Sequence, residues 1–181
     1  MSKIRGELTE SVRIRDECAR VNSEIPSAVF VGAAATLAHL GWTYRRTSDL
    51  DIAVEIASDV DEGRLIELGY SKDPRTEDWY TPRNFKIDIY KGALNGFSVQ
   101  EIASQSVTVP ARKGVSIRVA KLEMLILMKH RAGIVSDVQA LVSNRYNSID
   151  WKYLESIAKD GVEAEEIKNV ARAFGLRGRT T

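Results

Sequence analysis

The hydrophobic positions of the chain follow two periods. Between about Glu7 and Glu24, Leu8, Val12, Cys18, Ala19 and Val21 fall near one helical face, with Arg15 interrupting the stripe and Pro26 stopping it. Ala28-Val29-Phe30-Val31 is a short run of β-formers broken at Gly32, and Ala33 to Leu40 is built from helix formers as far as Gly41. That order predicts strand, tight turn, helix. From Asp49 to Ile56 the period becomes two: Leu50, Ile52, Val54 and Ile56 are apolar, and Asp49, Asp51, Ala53 and Glu55 stand between them. A strand with one buried face has this pattern.

Further on, Asp59 to Leu68 reads as a short helix closed by Gly69. Glu77–Thr81 and Phe85–Tyr90 read as a strand pair joined through Pro82-Arg83-Asn84. Ile87 and Ile89 then point one way and Lys86, Asp88 and Tyr90 the other. Val107 to Pro110 and Val115 to Val119 read as a hairpin or as a loop and a strand, with Pro110 counting against the first half. Beyond Ala120 the patterns are helical, near Lys121–Arg131, Ser136–Val142, Ser148–Ala158 and Val162–Phe174, with breaks at Gly161 and Gly175. The expected fold is α/β (α+β): a mixed sheet with flanking helices over residues 1–120, then a helical subdomain over 121–181 ending in the basic tail GLRGRTT. No internal repeat is visible. The amphipathic first helix suits cover of its own domain or of a second subunit equally well.

Composition narrows the classes. A chain of 181 residues that is 44% hydrophobic and 28% charged suits one soluble globular domain with a small helical appendage. With 26 Lys and Arg against 25 Asp and Glu the net charge is +1, so any site for a polyanion must be local. One cysteine, Cys18, excludes an internal disulfide framework and a multi-cysteine zinc site, and two histidines argue against a histidine-rich metal site. The longest weakly polar run, Ala28–Leu40, is well short of the roughly 20 apolar residues of a membrane helix. The opening MSKIRGELTE has no apolar core of the signal-peptide kind, and the expectation is a cytoplasmic protein.

Three carboxylates ask for an explanation. Asp49 and Asp51 are two apart on one expected strand and so share a face, Asp88 lies mid-way along another, and neighbouring strands run about 4.8 Å apart. Crowded carboxylates raise one another's pKa unless a cation neutralises them, and hard oxygen donors of this kind suit Mg²⁺ with bound phosphate. A two-metal phosphoryl or nucleotidyl transfer site fits them best, with Asp49, Asp51 and Asp88 as ligands. Gly32 lets backbone approach an anion, and the helix after it offers free N–H groups and a positive dipole end. Arg45, Arg46, Thr47 and Ser48 directly precede the aspartates, placed to steady a triphosphate.

Gly32-Ala33 after an apolar strand, the string RRTSDLDIAV and the later KIDIY resemble the nucleotidyltransferase superfamily related to DNA polymerase β, over about residues 28 to 90. The helical stretch LEMLILMKHRAGIVSDVQALV is similar to a segment of the AbiEii-type toxin branch and its bacterial and archaeal relatives, with Lys129 and Asp137 at the matching positions. The resemblance implies Asp49 and Asp51 on both metals and Asp88 on the catalytic metal, helping to activate an attacking hydroxyl. It implies Gly32 and the Ala33 backbone on the outgoing phosphates, Lys129 on triphosphate or acceptor, and Asp137 orienting Lys129. The implied activity is Mg²⁺-dependent transfer of a nucleoside monophosphate from a nucleoside triphosphate to a hydroxyl on RNA or protein, with a cognate toxin or antitoxin as partner. Where the family has a second Gly or a Ser, this chain has Ala33 and Ala34, which keep the amides and lack the hydroxyl. A non-catalytic nucleotide-binding or interaction module on the same scaffold is the alternative.

Plainer readings stand beside these. The aspartates also suit the wet face of an amphipathic strand, and Arg45 and Arg46 a solvated loop. Lys129 and Arg131 suit a helix C-terminus for its dipole alone. Met124, Leu125, Leu127 and Met128 are expected in the core, and His39 and His130 in ordinary packing or exposure. Trp79 and Tyr80 suit packing as well as stacking on a base.

Overall fold

A computed structural model describes residues 2–42 and 44–175, with side chains from residue 12 onward. The first half runs α1 (Ser2–Glu24), β1 (Ala28–Phe30), α2 (Gly32–His39), β2 (Asp49–Val54), α3 (Glu62–Glu67), β3 (Ser71–Lys72), β4 (Trp79–Tyr80) and β5 (Lys86–Tyr90). It continues through β6 (Ala93–Leu94), β7 (Phe97–Ser98), α4 (Val99–Ser104), β8 (Val107–Arg112) and β9 (Val115–Val119). The helices α5 (Leu122–Arg131), α6 (Val135–Arg145), α7 (Trp151–Ile157) and α8 (Gly161–Ala173) complete it.

Among the described residues, seven strands form one mixed sheet in the order β3-β4-β5-β2-β1-β9-β8. β2 is antiparallel to β1 and parallel to β5, and β1 is parallel to β9. The mixed α/β class read from the sequence is the class observed. Pro110 is accommodated because β8 is an edge strand and the pairing slips between Pro110 and Arg112, so its missing N–H breaks no interior ladder. β6 and β7 form a separate two-stranded hairpin.

One hydrophobic core extends from Ile14 to Ala171. Helix α1 lies along β1, β8 and β9, and α5 packs on α2, α6 and α7. Met124, Leu125, Leu127 and Met128 are buried as expected. Val29, Ala53, Tyr90 and Arg118 form a lateral row across the sheet, and the Arg118 guanidinium donates to the Ala103 carbonyl, so α4 covers the face that carries the aspartates.

Local signals decide where several elements depart from expectation. In α1, Val12 is exposed and the buried face carries Ile14, Glu17, Cys18 and Val21, because Glu17 pairs with Arg20 and Arg83 and so tolerates burial. Arg15 interrupts the stripe by donating to the Ala111 carbonyl. Helix α3 starts late because Asp61 caps it by accepting the Arg64 N–H, and α7 starts late because Asp150 caps it through the Tyr153 N–H. Leu8 of the expected apolar face and the tail residues 176–181 lie outside the described side chains and residues. Among the described residues no helix is long and apolar enough to cross a membrane.

Candidate active site

The site begins at Gly32. Backbone after β1 turns through φ +53° at Gly32 into α2, whose N-cap residue Val31 provides no side-chain cap. The missing cap is supplied from the neighbouring strand: the Asp51 carboxylate accepts the Ala33 N–H, while the Val31 N–H donates to the Asp51 carbonyl at 2.9 Å. Space for that carboxylate exists only because residue 32 is glycine, since a Cβ there would lie 1.8 Å from Asp51 Oδ2.

Parallel pairing of β2 with β5 puts Asp51 directly opposite Asp88 and Asp49 opposite Lys86. All four side chains, with Tyr90, share the face opposite Leu50, Ile52, Ile87 and Ile89. Burial pushes the Asp51 carboxyl pKa up; Lys129 and the Ala33 N–H oppose this, and Asp88 and Asp49 reinforce it. The Tyr90 hydroxyl lies 3.4 Å from Asp51 Oδ1, and burial, then the Asp51 and Asp88 charges, hold its own pKa above the usual phenol value.

Lys86 is a site residue that the sequence did not announce by type or spacing. Its ammonium lies 3.0 Å from Asp88 Oδ1 and 3.3 Å from Asp78 Oδ1, and those two hydrogen bonds raise its proton affinity. The only advance sign of it was its place on the Asp88 side of the strand. Asp49 is exposed and accepts the Ser48 hydroxyl. The three carboxylates are therefore brought to one face, but each is held by a different protein group. Among the described residues no three His, Cys, Asp or Glu side chains gather as a ready metal cluster. In chemistry the donors still fit Mg²⁺: hard carboxylate oxygens, two of them in register on adjacent strands, and mutual repulsion that a cation would relieve.

A cavity of about 180 Å³ lies against Gly32 and Asp51, walled by Tyr90, Leu94, Asn95, Leu125, Met128, Lys129, Ala132 and Ile134. Lys129 is 6% exposed and lies 2.9 Å from Asp137 Oδ2, which also accepts from Arg45 Nη2 at 3.1 Å. Sequence reasoning paired Lys129 with Asp137; the structure adds Arg45 as the third member. Arg46, Thr47 and Ser48 lie on the approach to β2, where the Thr47 hydroxyl accepts the Asp49 N–H at 3.2 Å. A second, open cavity of about 410 Å³ lies on the Asp88 side, with Glu62, Lys72, Asp78, Trp79 and Tyr90 among its walls. Trp79 is buried, with Lys72 over its ring. His39 bonds the Ala120 carbonyl and His130 meets Glu166, both ordinary packing roles.

No protein-family model matches the chain. A comparison with curated proteins also finds no match. Among solved structures, the chain is similar to the solution structure of the antibiotic-resistance factor ANT(2'')-Ia, at 17% identity over 92% of each chain and a TM-score of 0.45.

Proposed function

We propose that this protein is a Mg²⁺-dependent nucleotidyltransferase that moves a nucleoside monophosphate from a nucleoside triphosphate to a hydroxyl acceptor on RNA or protein. One observation carries the reading. Asp51 and Asp88 stand in register on parallel strands, and the Asp51 carboxylate is seated against a left-handed Gly32 at the start of a helix. A solvated acidic strand face needs neither the glycine nor the burial.

In this reading the phosphates enter the cavity between the α2 N-terminus and Lys129, whose fixed positive charge faces the charge that grows on the departing pyrophosphate. Arg46, Thr47 and Ser48 flank the entry to β2. The acceptor hydroxyl approaches from the Asp88 side, where Asp88 takes its proton and Lys86 bridges Asp88 and Asp78. Asp49, Asp51 and Asp88 would hold Mg²⁺, which when bound supplies neutralisation of the crowded carboxylates and of the phosphate charge. Asp137 and Arg45 keep Lys129 aimed. A cognate toxin or antitoxin partner belongs to this proposal on the resemblance of residues 122–142 alone.

The test is thermal unfolding of wild type and Asp51→Asn with each ribonucleoside triphosphate, with and without Mg²⁺. At about 100 times its dissociation constant a ligand adds roughly 2.7 kcal/mol, a shift of a few degrees. Stabilisation that needs nucleotide and metal together and is lost in Asp51→Asn supports the reading. Absence of any shift replaces it with a non-catalytic module.

A further inference from the structure

We infer that the tip of the β6–β7 hairpin, Asn95–Gly96, is the base-selecting element of the cavity over Asp51, and that Arg131 is the positioning residue that holds it there; this rests on the nucleotidyltransferase reading above. Two chemically distinct kinds of group line the cavity. Gly32 and Lys129 bring a helix N-terminus and a cation, suited to phosphate. Leu94, Leu125, Met128 and Ile134 bring apolar wall, and Asn95 adds an amide to the phenol of Tyr90. Apolar walls with one amide suit a flat heterocycle with hydrogen-bonding edges and do not suit phosphate.

The hairpin tip is held with unusual care for so small an element. Asn95 and Gly96 both have positive φ, +48° and +87°, as a tight two-residue hairpin turn requires. Arg131, at the C-terminal end of α5, donates from Nη1 to the Asn95 carbonyl at 2.9 Å, and its guanidinium lies over the Phe97 ring. Its other nitrogens grip Glu163 of α8 as a fork, Nε to Oε1 at 2.8 Å and Nη2 to Oε2 at 2.9 Å. A Cβ on residue 96 would come within 2.5 Å of Nη1, so glycine is what lets the guanidinium close on the turn. Arg131 is thus fully engaged between the hairpin and α8 and is not a phosphate ligand; what it fixes is the position of Asn95, which lines the same cavity as Asp51.

The experiment measures dissociation constants of the four ribonucleoside triphosphates, with Mg²⁺, for wild type, Asn95→Gly, Arg131→Lys and Asp51→Asn, alongside thermal stability. Asn95→Gly keeps the turn, since glycine accepts positive φ, and deletes the amide. The expected result is a wild type that prefers one base, and an Asn95→Gly protein in which the ratio of weakest to tightest binder falls by roughly fivefold or more while Mg²⁺ dependence persists. Arg131→Lys, which keeps charge and loses the fork, should compress the same ratio, an effect that a merely structural role would not produce. The inference is overturned if wild type binds all four alike, or if both variants keep its preference while Asp51→Asn abolishes binding. If wild type binds none of them, the nucleotidyltransferase reading fails and this one with it.

Discussion

Gly32 and Asp51 are a fitted pair: the position a side-chain carbon would take at residue 32 is the position the Asp51 carboxylate occupies, 1.8 Å from Oδ2. The carboxylate in turn satisfies an N–H at the start of α2 that no local side chain caps. Backbone strain, helix capping and the candidate site therefore meet in one contact. Gly32→Ala tests it against Gly41→Ala, which shares a positive φ, +76°, but has no atom within 4 Å of the added carbon. Gly41→Ala should cost only the left-handed penalty, about 1 kcal/mol, and Gly32→Ala at least twice that, on the order of 2–4 kcal/mol. Denaturant unfolding of both variants measures the difference, and equal losses would mean that the Asp51 contact contributes nothing.

Lys86 answers two carboxylates at once, and its removal should change how the site meets cations. In Lys86→Met, Asp78 and Asp88 lose their shared ammonium, whose proton both hydrogen bonds hold on. Divalent-cation binding, followed by calorimetry or terbium luminescence, should tighten by roughly threefold or more, as expected when repulsion between carboxylates is no longer relieved internally. Unchanged affinity would show that these carboxylates do not take part in cation binding.

Much of this site was legible beforehand, and the missing parts share a cause. The alternation from Asp49 to Val54 marks the aspartate-bearing face, although β2 stops there and Ile56 is exposed, and an apolar run broken at Gly32 marks the turn, because both are patterns of several residues. Lys86 stood on the expected face, but its pairing with Asp78 depends on where β4 lies beside β5, which no local spacing reports. The two-residue strands β6 and β7 are too short to show a period. Their signals were chemical: Asn95-Gly96 between Leu94 and Phe97 is a hairpin dipeptide, and Ser98 with Glu101 forms the capping box that starts α4. Arg45 suits a solvated loop or a phosphate contact by its local sequence alone, and the ion pair it makes with Asp137 spans 92 positions.

Glu163 should shape the acid limb of stability. Arg131 bonds its carboxylate through the fork, the Lys159 N–H adds a further bond, and these with the nearby charges of Arg131 and His130 hold its pKa below the usual glutamate value, against a smaller opposing effect of burial. The ionised form is thus favoured more in the folded chain than in the unfolded one. Its contribution is fully present above the unfolded value of 4.5 and is lost as pH falls through the lower folded value. Stability against pH, measured for wild type and Glu163→Gln, should show a shallower acid decline in the variant. Parallel curves would mean that the Arg131 fork does not favour ionised Glu163.

Asp137 and Lys129 form a buried ion pair, since Lys129 is 6% exposed and Asp137 1%, and their separation is 2.9 Å. Arg45, 41% exposed, reaches the same oxygen, Oδ2, and Asp137 Oδ1 is buried without a hydrogen-bond partner. Removing one member of such a pair strands the other, so Asp137→Ala should cost about 3–5 kcal/mol, whereas Arg45→Ala, which leaves the Lys129 pair intact and loses a half-exposed contact, should cost about 1 kcal/mol or less. If the cost in Asp137→Ala comes from the stranded ammonium, Lys129→Met should recover part of it, and the double variant should be more stable than Asp137→Ala alone. Nucleotide binding separates stability from function: the double variant would fold and yet lose Lys129 from the cavity beside Asp51. A double variant that is both no more stable than Asp137→Ala and unimpaired in binding would assign the pair to neither role.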